Sequence, residues 1–357
     1  MNATPESWER PRAALLAWYG ASQRDLPWRL DSHIPYRVLV AEVLAQQTQA
    51  ARAAMFYERF LRAFPSAESL AVAPLEAVYA AWQGAGYYAR ARNLQAAAQA
   101  IVTHGAPTTA AGWRELPGVG SYTAAAVASI ALGEPVAAVD GNVRRVLSRL
   151  AGRTLAEPDL KRVAAEALEV TRPGDWNQAL MDLGATICKP RRPDCAGCPV
   201  SVWCAARAAG IQAEVPASRP RRSTNLRAVA VIAGPGDGRF VLVQRPPTGL
   251  LGGLSGPPLV ECPLDWTAHD LARAALRLTG SLELGGPLEP LGPVTHVFTH
   301  RRLTVEAFAV FAPQGWSPPV AGPQGCRLVD PNVTAISRLD EKLLALVGWT
   351  RSVRVEQ

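Results

Sequence analysis

The stretch running from Leu116-Pro-Gly-Val-Gly120 to Asp140 constrains this 357-residue chain more than any other. A Gly118-Val-Gly120 turn opens an alanine-rich run expected to be helical from about Ser121 to Leu132, with Gly133 and Pro135 ending it. That helix is apolar nearly all round, so it belongs inside a helical body. A second short apolar run delivers Asp140 just ahead of another expected helix, Asn142 to Leu150. Glycine lacks a Cβ, which lets the chain reverse sharply and brings bare backbone close to a ligand. The amides after the turn stand at a helix start, where N–H groups and the helix dipole suit a phosphate. Gly118, Gly120 and Ser121 are therefore candidate phosphate contacts, and a backbone clamp followed by an acid fits a nucleic-acid site. Taken by itself, the stretch also reads as an ordinary turn between helices with Asp140 as a plain N-cap.

From Trp8 to about Ala209 the chain reads as helical. Apolar residues recur at three- and four-residue spacing through Ala13–Trp18, Val38–Ala45, Met55–Phe64, Leu75–Trp82, Ala91–Val102 and Val163–Val170. Residues 210–226 turn polar, basic and proline-bearing, as an exposed linker does. After them the character changes. Arg227–Ala233 and Arg239–Gln244 read as strands joined by a hairpin-type Gly-Pro-Gly-Asp-Gly break. Thr295–Phe298 and Leu303–Phe311 read as further strands, Ala268–Leu278 and Asp340–Val347 as helices. The expected organisation is an all-α domain over 1–209, a linker, and an α+β domain over 227–357. Lys and Arg number 37 against 30 Asp and Glu, a net charge of +7, which suits a polyanionic partner. No run of about eighteen apolar residues marks a membrane span. The N-terminal Met-Asn-Ala-Thr-Pro-Glu lacks a basic head followed by an apolar core, so no signal peptide is expected.

Four motifs in the first domain carry chemistry. Cys188, Cys195, Cys198 and Cys204 lie in a C-x6-C-x2-C-x5-C loop stiffened by prolines. Thiolates are soft ligands, and on ligand type both zinc and a 4Fe–4S cluster suit this set. Lys189, Arg191 and Arg192 in the same loop are either phosphate contacts or ordinary solvated charges. Glu42 is the only ionisable group between Arg37 and Arg52. If desolvated there, it keeps a proton available for general-acid work; on a polar helix face it is an ordinary surface glutamate. Gln46, Gln47 and Thr48 follow it as polar groups able to reach base edges. Asp140, at a helix start, complements Glu42 in the two-carboxylate manner of glycoside cleavage. Finally, Trp82-Gln-Gly-Ala-Gly-Tyr-Tyr-Ala-Arg-Ala-Arg-Asn93 sets paired tyrosines on a glycine-flexed turn before two arginines. Such an aromatic wedges between bases, or else packs in the core.

Together these residues resemble the endonuclease III superfamily of DNA glycosylases. The finer pattern is similar to the MutY-type adenine DNA glycosylases. Leu116-Pro-Gly-Val-Gly120, the aspartate about twenty residues on and the cysteine loop mark the superfamily; the finer pattern is carried by Asp25-Leu-Pro-Trp-Arg29, Glu42-Val-Leu-Ala-Gln-Gln-Thr48, Gly84-Ala-Gly-Tyr-Tyr-Ala-Arg-Ala-Arg-Asn-Leu94, Asp140-Gly-Asn142 and Asn177-Gln-Ala-Leu-Met-Asp-Leu-Gly184. The resemblance spans nearly all of residues 8–207. It implies a multidomain protein: an all-α helix-hairpin-helix glycosylase domain (the motif at about 112–132) with an iron–sulfur cluster loop at 188–204, followed by an α+β Nudix-like domain. A 4Fe–4S cluster on the four cysteines is part of that implication. The implied substrate is adenine opposite 8-oxoguanine or guanine in double-stranded DNA, flipped into a pocket.

In that scheme Glu42 protonates adenine at N7 and later activates water, while Asp140 stabilises the oxocarbenium ion. Tyr122 and Asn142 support them, Arg29 is the pocket arginine, Tyr87 the intercalating wedge and Gln47 the glutamine inserted at the mismatch. The lyase branch of the superfamily carries a lysine where this chain has Tyr122. A phenol forms no Schiff base, so base removal without efficient strand cleavage is expected. A glycosylase/lyase and a non-catalytic lesion-binding protein are the alternatives. A monomer of the bacterial-type cytoplasm, associated with the nucleoid and not with a membrane, completes the expectation.

Residues 227–349 resemble the Nudix-like domain with which this family senses 8-oxoguanine. Leu250-Leu-Gly-Gly-Leu254 fits, but Ser255-Gly256-Pro257 replaces the usual Trp-Glu-Phe. Phe298, Thr299 and His300 correspond to a Phe-Ser-His lesion-reading loop, with Thr299 keeping the hydroxyl. The helix at Leu271–Leu278 has none of the glutamates a Nudix hydrolase needs for its metal, so pyrophosphatase activity is not expected. Cys262 and Cys326 read as inert packing residues.

Overall fold

The computed structural model describes residues 7–46, 48–217, 224–246, 249, 251–284, 286–298, 301–317, 319 and 325–351. Helices α1 (Glu9–Ser22), α2 (Pro35–Ala45), α3 (Ala50–Ala63), α4 (Ala67–Ala71), α5 (Leu75–Trp82), α6 (Ala89–His104), α7 (Ala110–Arg114), α8 (Ser121–Leu132), α9 (Gly141–Leu150), α10 (Glu157–Ala167), α11 (Pro173–Thr186) and α12 (Ala205–Ala208) come first. The chain divides into two compact units: residues up to 73 with 93–219, and residues 74–92 with those from 220 onward.

The first unit is organised around α8, whose residues Thr123–Ser129 are all buried. Gly133 ends the helix in the left-handed region, φ 71°, where only glycine sits without strain. Before the helix, Gly118 takes φ 74°, and a Cβ there would lie 2.5 Å from the Cβ of Asn93, so the turn demands glycine twice over. Gly120 has ordinary extended geometry and open space around it, and no side chain caps α8. Its absent side chain leaves backbone bare; it does not enable a special conformation. A second core joins α1, α9, α10 and α11 through residues such as Leu15, Leu147, Leu160, Trp176 and Leu183. Helix α10 stops at Ala167, short of the Val170 expected from periodicity. The chain must leave helical geometry before Pro173, the first residue of α11.

The second unit contains β1 (Thr224–Gly234), β2 (Phe240–Gln244), β3 (Ser255–Gly256), β4 (Leu259–Cys262), α13 (Ala268–Ser281), β5 (Glu289–Phe298), β6 (Arg301–Phe311), β7 (Cys326–Val329) and α14 (Arg338–Ala345). They build a four-stranded sheet in the order β4-β1-β6-β5 and a three-stranded one in the order β3-β2-β7. β1 is covered on both faces. Ala228, Ala230 and Ile232 pack with Leu339, Leu343 and Leu344 of α14, whereas Val229, Val231 and Ala233 pack with Leu271, Ala274 and Ala275 of α13. A strand buried on both sides reads as a continuous apolar run, as this one does.

The expected β1–β2 hairpin is not formed. β1 pairs in parallel with β6 and antiparallel with β4, while β2 pairs with β3 and β7. The glycine turn still closes tightly, since a Cβ on Gly234 would lie 2.5 Å from the carbonyl oxygen of Arg239. The strands part beyond it into separate sheets. The one acidic residue of α13, Asp270, is engaged in a capping box with Thr267, so the helix presents no cluster of carboxylates. Among the described residues no helix is long and apolar enough to cross a membrane.

Candidate active site

A cavity of about 900 Å³ opens in the first unit, and seven of the residues singled out in the sequence line it: Arg29, Glu42, Gln46, Thr48, Tyr122, Asp140 and Asn142. Helix α2 supplies Glu42. Its neighbours Val38–Ala41, Val43 and Leu44 are buried, leaving this one carboxyl group turned to the cavity. Tyr122, in the first turn of α8, donates its hydroxyl to Glu42 Oε2 at 2.6 Å. Burial pushes Glu42 up from the ordinary 4.5 to about 7; the tyrosine hydrogen bond works against the rise, and the negative charge of Asp140 adds to it. Desolvation therefore wins, and near neutrality Glu42 is poised to give or take a proton. Burial and the adjacent Glu42 raise the Tyr122 hydroxyl well above the usual phenol range, so it stays a donor.

Asp140 is indeed the N-cap of α9, with Oδ1 accepting the Val143 N–H at 2.7 Å. It is more than a cap, because its second oxygen accepts Asn142 Nδ2 at 2.9 Å and the group faces the same cavity as Glu42. Asn142 is held in turn by Arg145 Nη2 at 2.8 Å, and that guanidinium also donates to the carbonyls of Gly184 and Cys188, both at 2.8 Å. The approach of α11 to α9 depends on Gly184, where a Cβ would lie 2.5 Å from the Cβ of Asn142. The apolar segment before Asp140 is fixed by Asn177, whose Oδ1 accepts the Ala138 N–H at 3.0 Å and whose Nδ2 donates to Val136 O and Ser129 Oγ, each at 2.9 Å.

Arg29 reaches the cavity wall over the ring of Tyr19, 5.2 Å from its centroid. The buried Asp182 of α11 holds it at 2.7 Å and accepts Arg24 Nε at 2.7 Å. Gln46 Nε2 donates to Thr123 Oγ1 at 3.2 Å. Arg24 and Arg145 are not singled out by the sequence, and Asn177 and Asp182 enter there only within the stretch Asn177–Gly184, with no role assigned. The available signal was a carboxylate and a carboxamide interrupting the buried face of α11.

The remaining candidates lie elsewhere. Gly118 and Gly120 lie in the exposed turn ahead of α8, and Ser121 is its exposed first residue. Tyr87 and Phe298 belong to the second unit. Gln47, Thr299 and His300 fall outside the described residues, as does Leu250 of the Leu-Leu-Gly-Gly-Leu match.

Cys188, Cys195, Cys198 and Cys204 border one small cavity beside Arg149. Arg149 Nη1 donates to Cys188 Sγ at 3.2 Å, and its backbone carbonyl accepts the Cys204 thiol at 3.3 Å. Burial pushes Cys198 up to about 12. Four thiolates crowded into such a place require positive charge among them. Among the described residues no three Cys, His, Asp or Glu side chains converge on one ion-sized point; the thiols surround a space instead.

Chemically, the main cavity sets a proton-bearing acid opposite a carboxylate held by N–H donors. That pair is equipped to expel a basic leaving group and stabilise a sugar cation. A model of the HhH-GPD superfamily of base excision DNA repair proteins matches residues 40–173, and a NUDIX domain model matches residues 228–346. The adenine DNA glycosylase of Homo sapiens is 35% identical, the match covering 88% of this chain and 69% of the human one. That of Mycobacterium tuberculosis is 43% identical over 55% of this chain and 67% of its own. Among solved structures, a thermostable thymine-DNA glycosylase is 29% identical and covers 57% of this chain and 97% of its own, with a TM-score of 0.53.

Proposed function

This chain belongs to the adenine DNA glycosylases of base excision repair, and we propose that it removes adenine paired with 8-oxoguanine or guanine without cutting the strand. The helical HhH-GPD and Nudix-like architecture expected from the sequence holds. What carries the reading is that Glu42 and Asp140 share one cavity with the Tyr122 hydroxyl seated on Glu42. An extruded adenosine enters that cavity. Glu42 donates its proton to the ring nitrogen N7, and the bond from C1′ to the base breaks with its electrons leaving on adenine. Asp140 stabilises the positive charge left on the sugar. Glu42, now a carboxylate, takes a proton from the water that attacks C1′, which restores the acid. Tyr122 cannot form a Schiff base with the product.

Outside the cavity, we assign the amides of Gly118, Gly120 and Ser121 to a DNA phosphate. Gln46, Gln47 and Thr48 belong to the mismatch, Tyr87 to a wedge between base steps, and Phe298, Thr299 and His300 to the base opposite adenine. A duplex with one 8-oxoguanine·adenine pair tests this: scission only after alkali is expected. Scission without alkali makes the protein a lyase, and none in either arm makes it a binder.

The four cysteines we read as ligands of a 4Fe–4S cluster, since soft thiolates walling a cavity suit a multi-iron cube. Bound there, a cluster would cross-link the loop to itself through Cys188, Cys195, Cys198 and Cys204, with Arg149 of α9 donating to the Cys188 sulfur. Purified protein should be brown, with iron and sulfide in equal amounts, and Cys198→Ala should lose both. Zinc in their place overturns the assignment.

A further inference from the structure

The turn after α5 is built to hold one shape. Trp82 Nε1 and Arg90 Nη2 both donate to the Gly86 carbonyl, at 2.9 and 3.2 Å, and Arg90 Nη2 also donates to the Ala85 carbonyl at 3.0 Å. The guanidinium lies 5.5 Å from the centroid of each of the Trp82 and Tyr87 rings. Within that frame Tyr87 adopts φ 50° and stays 47% exposed. A tyrosine persists in the left-handed region only where its surroundings enforce it.

The base of this turn is tied down by Arg351. Arg351 donates through Nη1 to Gln83 Oε1 at 3.2 Å and through Nε to Glu341 Oε1 at 3.0 Å. Gln83 directly follows α5, and Glu341 lies on α14. One turn back along α5, Tyr79 packs edge-on against Tyr88 with ring centroids 5.5 Å apart. Gly253 comes so close that a Cβ would lie 2.5 Å from the Tyr79 hydroxyl. Residues 74–92 accordingly belong to the same compact unit as the sheets.

We propose that Arg351 is a positioning residue for Tyr87: bridging Gln83 and Glu341, it fixes how the ring is presented to a base step. The inference rests on the reading of Tyr87 as the wedge. Separating two stacked bases costs free energy, so a wedge already fixed in place binds better than one that must be ordered on contact. The Arg351–Glu341 pair is a charge-assisted contact with both side chains mostly buried, 26% and 15% exposed, which is where such contacts matter.

The test uses the full-length protein and a duplex in which a 2′-fluoro group on the target adenosine, opposite 8-oxoguanine, blocks cleavage. Arg351→Met should weaken binding about tenfold, and Arg351→Lys should recover part of it. Tyr87→Ala should also weaken binding, and adding Arg351→Met to it should cost nothing more. Single-turnover excision of a cleavable duplex at saturating protein should change less than about twofold in Arg351→Met, because none of the bridge residues is among those lining the cavity. Losses that multiply in the double variant, or tight binding by Arg351→Met, overturn the positioning role alone. Tight binding by Tyr87→Ala removes the wedge reading and this inference with it.

Discussion

Replacing Glu42 with glutamine is expected to slow adenine excision at least about a thousandfold under single-turnover conditions, with affinity for the mispaired duplex nearly unchanged. Glutamine keeps the size of the side chain and can still accept the Tyr122 hydroxyl, but its amide carries no proton that can be transferred to a leaving base. The variant should also be no less stable. Burial raises Glu42 in the folded protein to about 7 from 4.5. Between those values the folded state keeps a proton that the unfolded chain has lost, so stability falls as pH rises and stays reduced above 7. Glutamine removes that penalty, so thermal unfolding at alkaline pH should occur at or above the wild-type temperature. Lost activity in a protein that melts normally then points to the proton. The wild-type rate should itself decline as pH rises through about 7, where the acid ionises. A fully active glutamine variant, or a rate that stays flat across neutrality, removes Glu42 as the donor.

How much of this was legible beforehand depended on whether a side chain announced itself against its background. Glu42 did, as a lone carboxyl group in an apolar stretch, and α8 did, with its glycines at both ends. Asp140 was visible both as a cap and as a candidate acid; it caps α9 and lines the cavity. Asp182 and Asn177 were not given roles, because a buried carboxylate and carboxamide break the apolar stripe of α11 and lower its periodicity. Their meaning comes from Arg29 and from the segment before Asp140, remote in sequence. Among the strands, β1 and β6 were plain. β4 and β7 have four residues each, too few for a period to show. The first half of β5 contains Pro290 and Pro293, which only an edge strand accepts, and β5 is at the edge. The false hairpin shows the limit of local chemistry: a glycine turn reverses the chain, but burial on both faces chose the partners of β1.

Asp140→Asn is expected to cost at least about a hundredfold in the rate of the chemical step. Asparagine caps a helix as well as aspartate does, so the bond to the Val143 N–H, 2.7 Å in length, can persist and α9 should remain folded. The charge is lost, and with it the stabilisation of a positive sugar; the acceptor for Asn142 Nδ2 goes too, since an amide nitrogen replaces the second oxygen. Binding of a non-cleavable duplex should be equal or tighter, because a negative charge has left a cavity that admits a phosphodiester. The pH profile separates this variant from the first. Residual activity in Glu42→Gln should no longer fall across neutrality, whereas Asp140→Asn should keep the fall but move it to lower pH. That displacement follows from the site itself, since the charge of Asp140 contributes to the raised position of Glu42. A midpoint that does not move would mean the two carboxyl groups fail to sense each other. A wild-type rate in the asparagine variant would mean that the cation is stabilised by some other group lining the cavity.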